Sequence, residues 1–257
     1  MPDISDLSPS DAAKLAASRA AVKLVRDGMK LGLGTGSTAV IMVRVLAERA
    51  AAEGLTLRCA ATSKATAELA TSLGLRVENL DDIGWLDMTI DGADEVDPDL
   101  NLIKGGGGAH LREKIVARAS DRMVVIADPG KVVETLGAYH LPVEVIPFGW
   151  KVTERLIREA LDAQGLGKRP ILLRQRDGRP FQTDEGNLIL DLSLEAIADP
   201  HRLARGLSDI PGVVEHGLFL GICDLAIIGQ PDGNVTLLRS EAAEGDLDPV
   251  LDAGENA

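Results

Sequence analysis

Short apolar runs alternate along the chain with longer stretches in which apolar positions recur every three to four residues, the two periods of buried strands and amphipathic helices. Ser8-Pro9-Ser10-Asp11 reads as a helix start, with Ser8 as N-cap, Pro9 at the first helical position and Asp11 reaching back as in a capping box. The helix predicted from it runs to about residue 26. Strand-like runs follow at 30–33, 57–61, briefly at Val77, 88–90 and 123–127, with helices predicted over 38–52, 65–73 and 111–119 between them. This alternation predicts an α/β fold with a doubly wound, mostly parallel, Rossmann-like sheet.

After Asp128 the order changes. Strands are predicted at 143–146, 171–174, 188–192 and 213–219, and helices at 151–164 and near 200–207, with a turn at Asp184-Glu185-Gly186-Asn187. The order β-α-β-β-α-β matches a ferredoxin-like α+β unit. A last strand pair, 225–228 and 235–238, closes around Pro231-Asp232-Gly233-Asn234. The expected organisation is a catalytic α/β domain over 1–137 plus 219–240 and an inserted ferredoxin-like domain over 138–218. An acidic tail over 241–257 has a composition that predicts disorder.

At 257 residues the chain is long enough for one large domain or a domain carrying a smaller one. Hydrophobic residues make up 45% of it and aromatics only 2%, so the core is built from Ala, Val, Leu and Ile, and stacking-based recognition of single-stranded nucleic acid is disfavoured. The formal net charge is −13, and the six acids with no base beyond Arg239 leave about −7 on the rest. A negative body disfavours nucleic acid and anionic membranes, so an anionic substrate needs a local pocket of lysines. Cys59 and Cys223 lie far apart with no metal-ligand spacing. Asp3 and Asp6 stand where a secretory signal would need bases, and no run of about 18 apolar residues occurs. These features predict a reduced, soluble, cytoplasmic protein with no membrane partner.

Four clusters could carry chemistry. Gly32-Leu33-Gly34-Thr35-Gly36-Ser37-Thr38 joins a predicted strand to a helix. Its glycines bare backbone N–H groups, the helix N-terminus adds positive potential, and the hydroxyls of Thr35, Ser37 and Thr38 add donors, which together suit a phosphate. It is neither the dinucleotide fingerprint, because Ser37 takes the last glycine position, nor a nucleotide P-loop; a plain strand-to-helix turn is the alternative. Asp91-Gly92-Ala93-Asp94 follows an apolar run, at the strand end where open parallel sheets bind ligands, and Gly92 and Ala93 leave room for one. The nearby Asp97-Pro98-Asp99 reads as a turn.

Lys104-Gly105-Gly106-Gly107-Gly108-Ala109 sacrifices backbone entropy, which is tolerated where main chain must wrap a ligand. It leads into a helix whose first turn holds Arg112, Glu113 and Lys114. The helix N-terminus favours the ionised form of Glu113, which could serve as a base or be an ordinary N-terminal helix acid. Ala127-Asp128-Pro129-Gly130-Lys131 is a further strand end, with Lys131 either solvated or turned to the same edge. Lys14 reads locally as a solvent-facing helix lysine. No pair among His110, His140, His201 and His216 has ligand spacing, so no metal is assigned.

Taken in order, GLGTGST at 32–38, DGADEVDP at 91–98, KGGGGAHLREK at 104–114 and ADPGK at 127–131 resemble the type A ribose-5-phosphate isomerases. The resemblance extends through LPVEVIP (141–147), DEGNLILDL (184–192), PGVVEHGLF (211–219) and DLAIIG (224–229). It implies interconversion of ribose 5-phosphate and ribulose 5-phosphate through a cis-enediolate, in the non-oxidative pentose phosphate pathway, without metal or organic cofactor. It also implies a homodimer or a dimer of dimers. Carried over by motif, Glu113 is the general base, Asp91 and Asp94 flank the reacting hydroxyls, and Lys104 steadies the substrate and the developing oxyanion. Lys14, Thr35, Gly36, Ser37, Thr38, Gly92, Ala93, Gly105, Gly106, Gly107 and Lys131 match positions lining the substrate site.

Two departures stand out: His110-Leu111 where the family more often has a small or apolar residue and a Thr or Trp, and Cys223 in place of a common alanine. Rival readings are a sugar-phosphate sensor, which would need an output element, and a related amino-sugar phosphate deaminase or coenzyme A transferase. Ammonia release or acyl-thioester exchange would identify the last two.

Overall fold

Continuous apolar runs suit strands buried on both faces, and 123–127 and 225–229 are buried at every position. The computed structural model describes residues 7–239, so the predicted tail lies outside the described residues. The chain divides into two compact units. One takes the chain up to Ala93, Arg112–Val132 and the part from Ile222 on; the other takes Asp94–Leu111 and Val133–Gly221.

The first unit is built on β1 (Lys30–Leu33), β2 (Arg58–Ala61), β3 (Met88–Gly92), β6 (Met123–Ala127), β14 (Leu225–Gly229) and β15 (Val235–Arg239). They form one sheet in the order β15-β14-β6-β3-β1-β2, parallel throughout except for the hairpin β14–β15. The chain leaves β1 for β2 on one side and returns to β3 on the other. The carboxyl ends of β1 and β3 therefore form a topological switch point, where crossovers diverge and leave a crevice.

The helices of this unit are α1 (Pro9–Lys23), α2 (Ser37–Glu53), α3 (Lys64–Ser72), the short α4 (Leu80–Ile83) and most of α5 (His110–Arg118). Ser8 caps α1 as its sequence predicts, its Oγ accepting the Asp11 N–H at 3.2 Å and donating to the Asp11 carboxylate at 2.8 Å. The predicted strand at Val77 is a single bridge to Cys59. Leu31, Leu33, Met42, Leu46, Ile90 and Ile126 are among the residues that fill the core beneath α1 and α2.

The second unit contains β7 (Leu141–Val145), α6 (Trp150–Asp162), β8 (Ile171–Leu173), β11 (Leu188–Leu192), α7 (Pro200–Ser208) and β12 (Val213–His216). Their antiparallel sheet runs β12-β7-β11-β8, the strand order of a ferredoxin-like unit. A two-stranded hairpin, β9 (Gln175–Arg176) with β10 (Arg179–Pro180), extends from β8. A three-stranded sheet, β13-β5-β4, joins Leu218–Phe219, Leu102–Ile103 and Glu95–Val96.

The single strand predicted over 213–219 is thus two strands in two sheets. Gly217 is the reason: its N–H donates to the Pro142 carbonyl at 2.8 Å, its own carbonyl accepts from the Lys104 N–H at 2.9 Å, and any Cβ there would stand 2.3 Å from the Lys104 carbonyl oxygen. Asp97-Pro98-Asp99 is the expected turn, closing β4 onto β5 with the Asp97 carboxylate accepting from the Asn101 N–H at 2.8 Å.

Two expectations follow from the packing of the first unit. Glycine at 229 lets α1 sit on the end of β14, since a Cβ would lie 1.9 Å from the Ala13 carbonyl oxygen and 2.7 Å from the Ala17 nitrogen. Gly229→Ala therefore loses about 1–3 kcal/mol or more in urea unfolding, and an unchanged midpoint would contradict this seating. Burial in the core pushes the Cys59 thiol up to about 12. In a Cys223→Ser background, Ellman's reagent at pH 8 leaves Cys59 untouched until denaturant is added; rapid modification of the folded protein would count against this burial.

Candidate active site

The switch point of the first unit is organised around Asp91. Its side chain is fully buried, and its Oδ1 accepts the Thr35 N–H at 3.0 Å and the Gly92 N–H at 2.7 Å. A carboxylate taken out of water survives only with such partners, because its desolvation costs several kcal/mol. The approach requires glycine at 34, where a Cβ would fall 2.0 Å from Asp91 Oδ1 and 2.6 Å from its Cα. The first glycine-rich turn and the strand-end aspartate are thus two halves of one feature.

The same turn opens α2. Gly36 is the N-cap with φ of 114°, a conformation L side chains rarely adopt, and no side chain caps the helix. The first N–H groups of α2 lack a side-chain acceptor, and Ser37 is exposed and Thr38 half-buried beside them, an arrangement suited to an anion. Thr35 is different from its neighbours. Its hydroxyl donates to Ser63 Oγ at 2.9 Å and lies 2.7 Å from Thr62 Oγ1, so it ties the turn to the start of α3.

Glu113 is 3% exposed and lies in the first turn of α5. The far end of that helix is fixed beside the beginning of β3, where the Leu86 N–H donates to the Ala119 carbonyl at 2.8 Å and the Asp121 N–H to the Leu86 carbonyl at 2.9 Å. Its middle crosses β1 and β3: a Cβ on Gly32 would meet Val116 Cγ1 at 2.6 Å and Thr89 Oγ1 at 2.0 Å. The helix therefore runs antiparallel to the strands. Glu113, one turn before Val116 on the same face, comes to the carboxyl edge of the sheet.

Two lysines lie on elements next to that edge. Lys131 ends the 3-10 turn Pro129–Lys131 after β6, a turn capped by Asp128, whose carboxylate accepts the Gly130 N–H at 3.0 Å. Lys14 lies between the two α1 residues that touch Gly229 at the carboxyl end of β14, and its ammonium is 3.6 Å from the Asp11 carboxylate. Only 16% of its side chain is exposed, so it is not the solvated helix lysine that local sequence suggests.

The remaining predicted residues belong to the second unit. Lys104 is 2% exposed, with its ammonium 5.4 Å from the centre of the Phe219 ring, a cation–π distance. Asp94 Oδ2 accepts the Gly106 N–H at 2.7 Å. Gly105 needs its positive φ of 104° and its missing Cβ, which would strike the His110 ring at 2.7 Å; the departure at 110 is therefore packed directly against the loop. The His110 ring is buried, 3.8 Å from Glu144 Oε2. Burial pushes the Glu144 carboxyl up, opposed by hydrogen bonds from Asn187 and Thr183.

Two residues of this unit escape sequence reasoning. Tyr139 brings its hydroxyl against Gly106 and Asp94, where burial first and the Asp94 charge second raise its pKa. Arg174 donates to the carbonyls of Gly105 at 2.8 Å and Gly106 at 3.2 Å. A weak signal existed for each: Tyr139 is the single tyrosine of the chain, and Asp191, the ion-pair partner of Arg174, interrupts the apolar run LILDL. Among the described residues no group of three or more His, Cys, Asp or Glu is placed to hold a metal ion.

Residues 58–233 match the family model described as ribose 5-phosphate isomerase A (phosphoriboisomerase A). The ribose-5-phosphate isomerase A of Dinoroseobacter shibae is 58% identical over 232 residues, 90% of this chain and 89% of that protein. A ribose 5-phosphate isomerase structure from Plasmodium falciparum superposes with a TM-score of 0.84 at 35% identity, over 90% of this chain and 99% of the other. A D-ribose-5-phosphate isomerase in complex with phospho-erythronic acid gives 0.83 at 35% identity, over 90% and 100%. A buried strand-end aspartate, a glycine turn before a helix and an acid on the covering helix are thus found in a chain that belongs to the ribose 5-phosphate isomerase A family.

Proposed function

We propose that the chain interconverts D-ribose 5-phosphate and D-ribulose 5-phosphate, with Glu113 as the group that moves the proton. The observation that carries this reading is Glu113 itself: a carboxyl side chain kept 3% exposed at the carboxyl edge of the sheet, on the edge that also holds the buried Asp91. A side chain that only solvated a helix end would not be buried there.

Aldose–ketose exchange removes a proton from the second carbon of the open sugar and delivers one to the first, while hydrogen moves between the two oxygens in the opposite sense. One carboxylate does both carbon steps if it stays on one face of a cis-enediolate, and Glu113 takes that role. Asp91, held by two N–H groups, relays the proton that opens the ring. Lys104, Asp94 and the glycine loop, Gly105 to Gly107, hold the oxygens on which negative charge develops, with the Gly106 N–H fixing Asp94. Gly36, Ser37 and Thr38 take the phosphate together with Lys14 and Lys131, Thr35 braces the turn from within, and Gly92 and Ala93 keep the sugar's path clear. Binding energy from the phosphate then orients the reacting carbons. The reaction is redox-neutral, since one carbon is oxidised as its neighbour is reduced.

The same reading extends to a place in the non-oxidative pentose phosphate pathway, to the cytoplasm, and to a homodimer or dimer of dimers. Sedimentation of the purified chain tests the last point, with a purely monomeric species at micromolar concentration opposing it.

Purified protein incubated with ribose 5-phosphate forms ribulose 5-phosphate in the presence of a chelator, while ribose lacking the phosphate reacts poorly. Glu113→Gln retains sugar-phosphate binding and loses about 10²–10⁴-fold in turnover and in exchange of the second-carbon proton with solvent deuterium. Normal exchange in that variant would remove Glu113 from the role, and absence of ketose with the unaltered protein would overturn the activity.

A further inference from the structure

We infer that Arg174, neutralised by Asp191, is a positioning residue that sets the orientation of the glycine loop, and that isomerisation depends on it. This inference rests on the activity proposed above. Arg174 follows β8, and its N–H donates to the Ile189 carbonyl at 2.9 Å, which anchors its backbone to β11. Its side chain is 15% exposed and that of Asp191 is 14% exposed. The guanidinium divides its donors in two directions. Nε and Nη2 meet the two Asp191 oxygens at 2.9 and 2.5 Å, the fork-to-fork geometry of a strong pair. Nη1 donates at 2.8 Å to the Gly105 carbonyl and at 3.2 Å to the Gly106 carbonyl.

The consequence follows from peptide planarity. In a trans peptide the carbonyl and the next N–H point in opposite directions, so pinning a carbonyl also aims an N–H. The Gly105 carbonyl and the Gly106 N–H share one peptide: the first is held by Arg174, and the second donates to Asp94 Oδ2 at 2.7 Å. The Gly106 carbonyl and the Gly107 N–H share the next: the Arg174 bond turns that N–H away from the guanidinium, at a residue exposed to solvent. Glycines have no side chain to hold these orientations, and without an outside anchor the loop samples many of them. A cation behind the carbonyls also polarises both amides, which strengthens their N–H groups as donors.

Lysine cannot replace this arrangement, because one ammonium does not reach a bidentate carboxylate and two carbonyls with a planar fork. Asp191 matters as the partner that fixes the guanidinium plane. Both side chains act through the loop and touch no reacting atom, so the pair differs in kind from Lys104 or Glu113.

The test compares Arg174→Lys and Asp191→Asn with the unaltered enzyme by steady-state kinetics, thermal unfolding and amide hydrogen exchange read by mass spectrometry. Positioning predicts that kcat falls by about 10²-fold in Arg174→Lys, with KM changing far less. Asp191→Asn shifts in the same direction, and exchange rises in the peptide over 104–111 while the sheet β12-β7-β11-β8 keeps its protection. Wild-type kcat in both variants would overturn the inference. So would faster exchange spread over the whole second unit with a lowered unfolding midpoint, which marks a structural role alone. If the unaltered protein forms no ketose, the proposed activity fails instead; the exchange arm still decides whether Arg174 orders the loop.

Discussion

One buried carboxylate sets the terms for the first unit. Asp91 sits out of water at the end of a central parallel strand, a position that would cost several kcal/mol without compensation. Compensation at its Oδ1 comes from backbone: the N–H groups of Thr35 and Gly92. That solution demands that the turn after β1 press against β3, which in turn demands glycine at 34. Hydrogen bonds to a charged acceptor contribute about 1.5–3 kcal/mol each, so two of them offset much of the desolvation. The shape of the glycine-rich turn after β1 is therefore a consequence of the aspartate it has to accommodate, and the two features are inseparable physically.

The second unit solves a different problem, that of holding glycines still. Gly105 to Gly108 carry no side chains to pack, yet the loop is held from outside: the Gly105 and Gly106 carbonyls by Arg174, the Gly106 N–H by Asp94, and the Cα surfaces of Gly105, Gly106 and Gly108 by His110, Tyr139 and Phe181. The cation behind these glycines is itself paired, since Arg174 is largely buried against Asp191. Lys104 is buried in the same unit, where low dielectric strengthens its field over short distances.

Much of the architecture is legible from periodicity, and the reasons are local. Strand 123–127 is a continuous apolar run, strands 30–33 and 188–192 are short apolar-rich runs bounded by turn residues, and α1 starts at its Ser8 cap. Elements that depend on distant partners are not legible in this way. The pairs 95–96 and 102–103 are too short to show a period, and the break at Gly217 arises only because the Lys104 carbonyl lies opposite it. Tyr139 and Arg174 escape for the same reason: the contacts that give them meaning link positions 33 and 69 apart in sequence.

The sequence by itself determined the element order, the alternation that makes a parallel sheet, the ferredoxin-like succession, and the motifs carried by Asp91, Lys104 and Glu113, because each is written in neighbouring residues. Tertiary structure alone decided which hydroxyls of the first glycine turn face inward, that Lys14 is shielded rather than solvated, that α5 brings Glu113 to the carboxyl edge, and which side chains stand behind the glycine loop. Those outcomes depend on the seating of helices on strands, at Gly229 for α1 and at Gly32 for α5, and on hydrogen bonds closed across long stretches of chain. Periodicity reports which face of an element is apolar; it carries no information about which partner that face will meet.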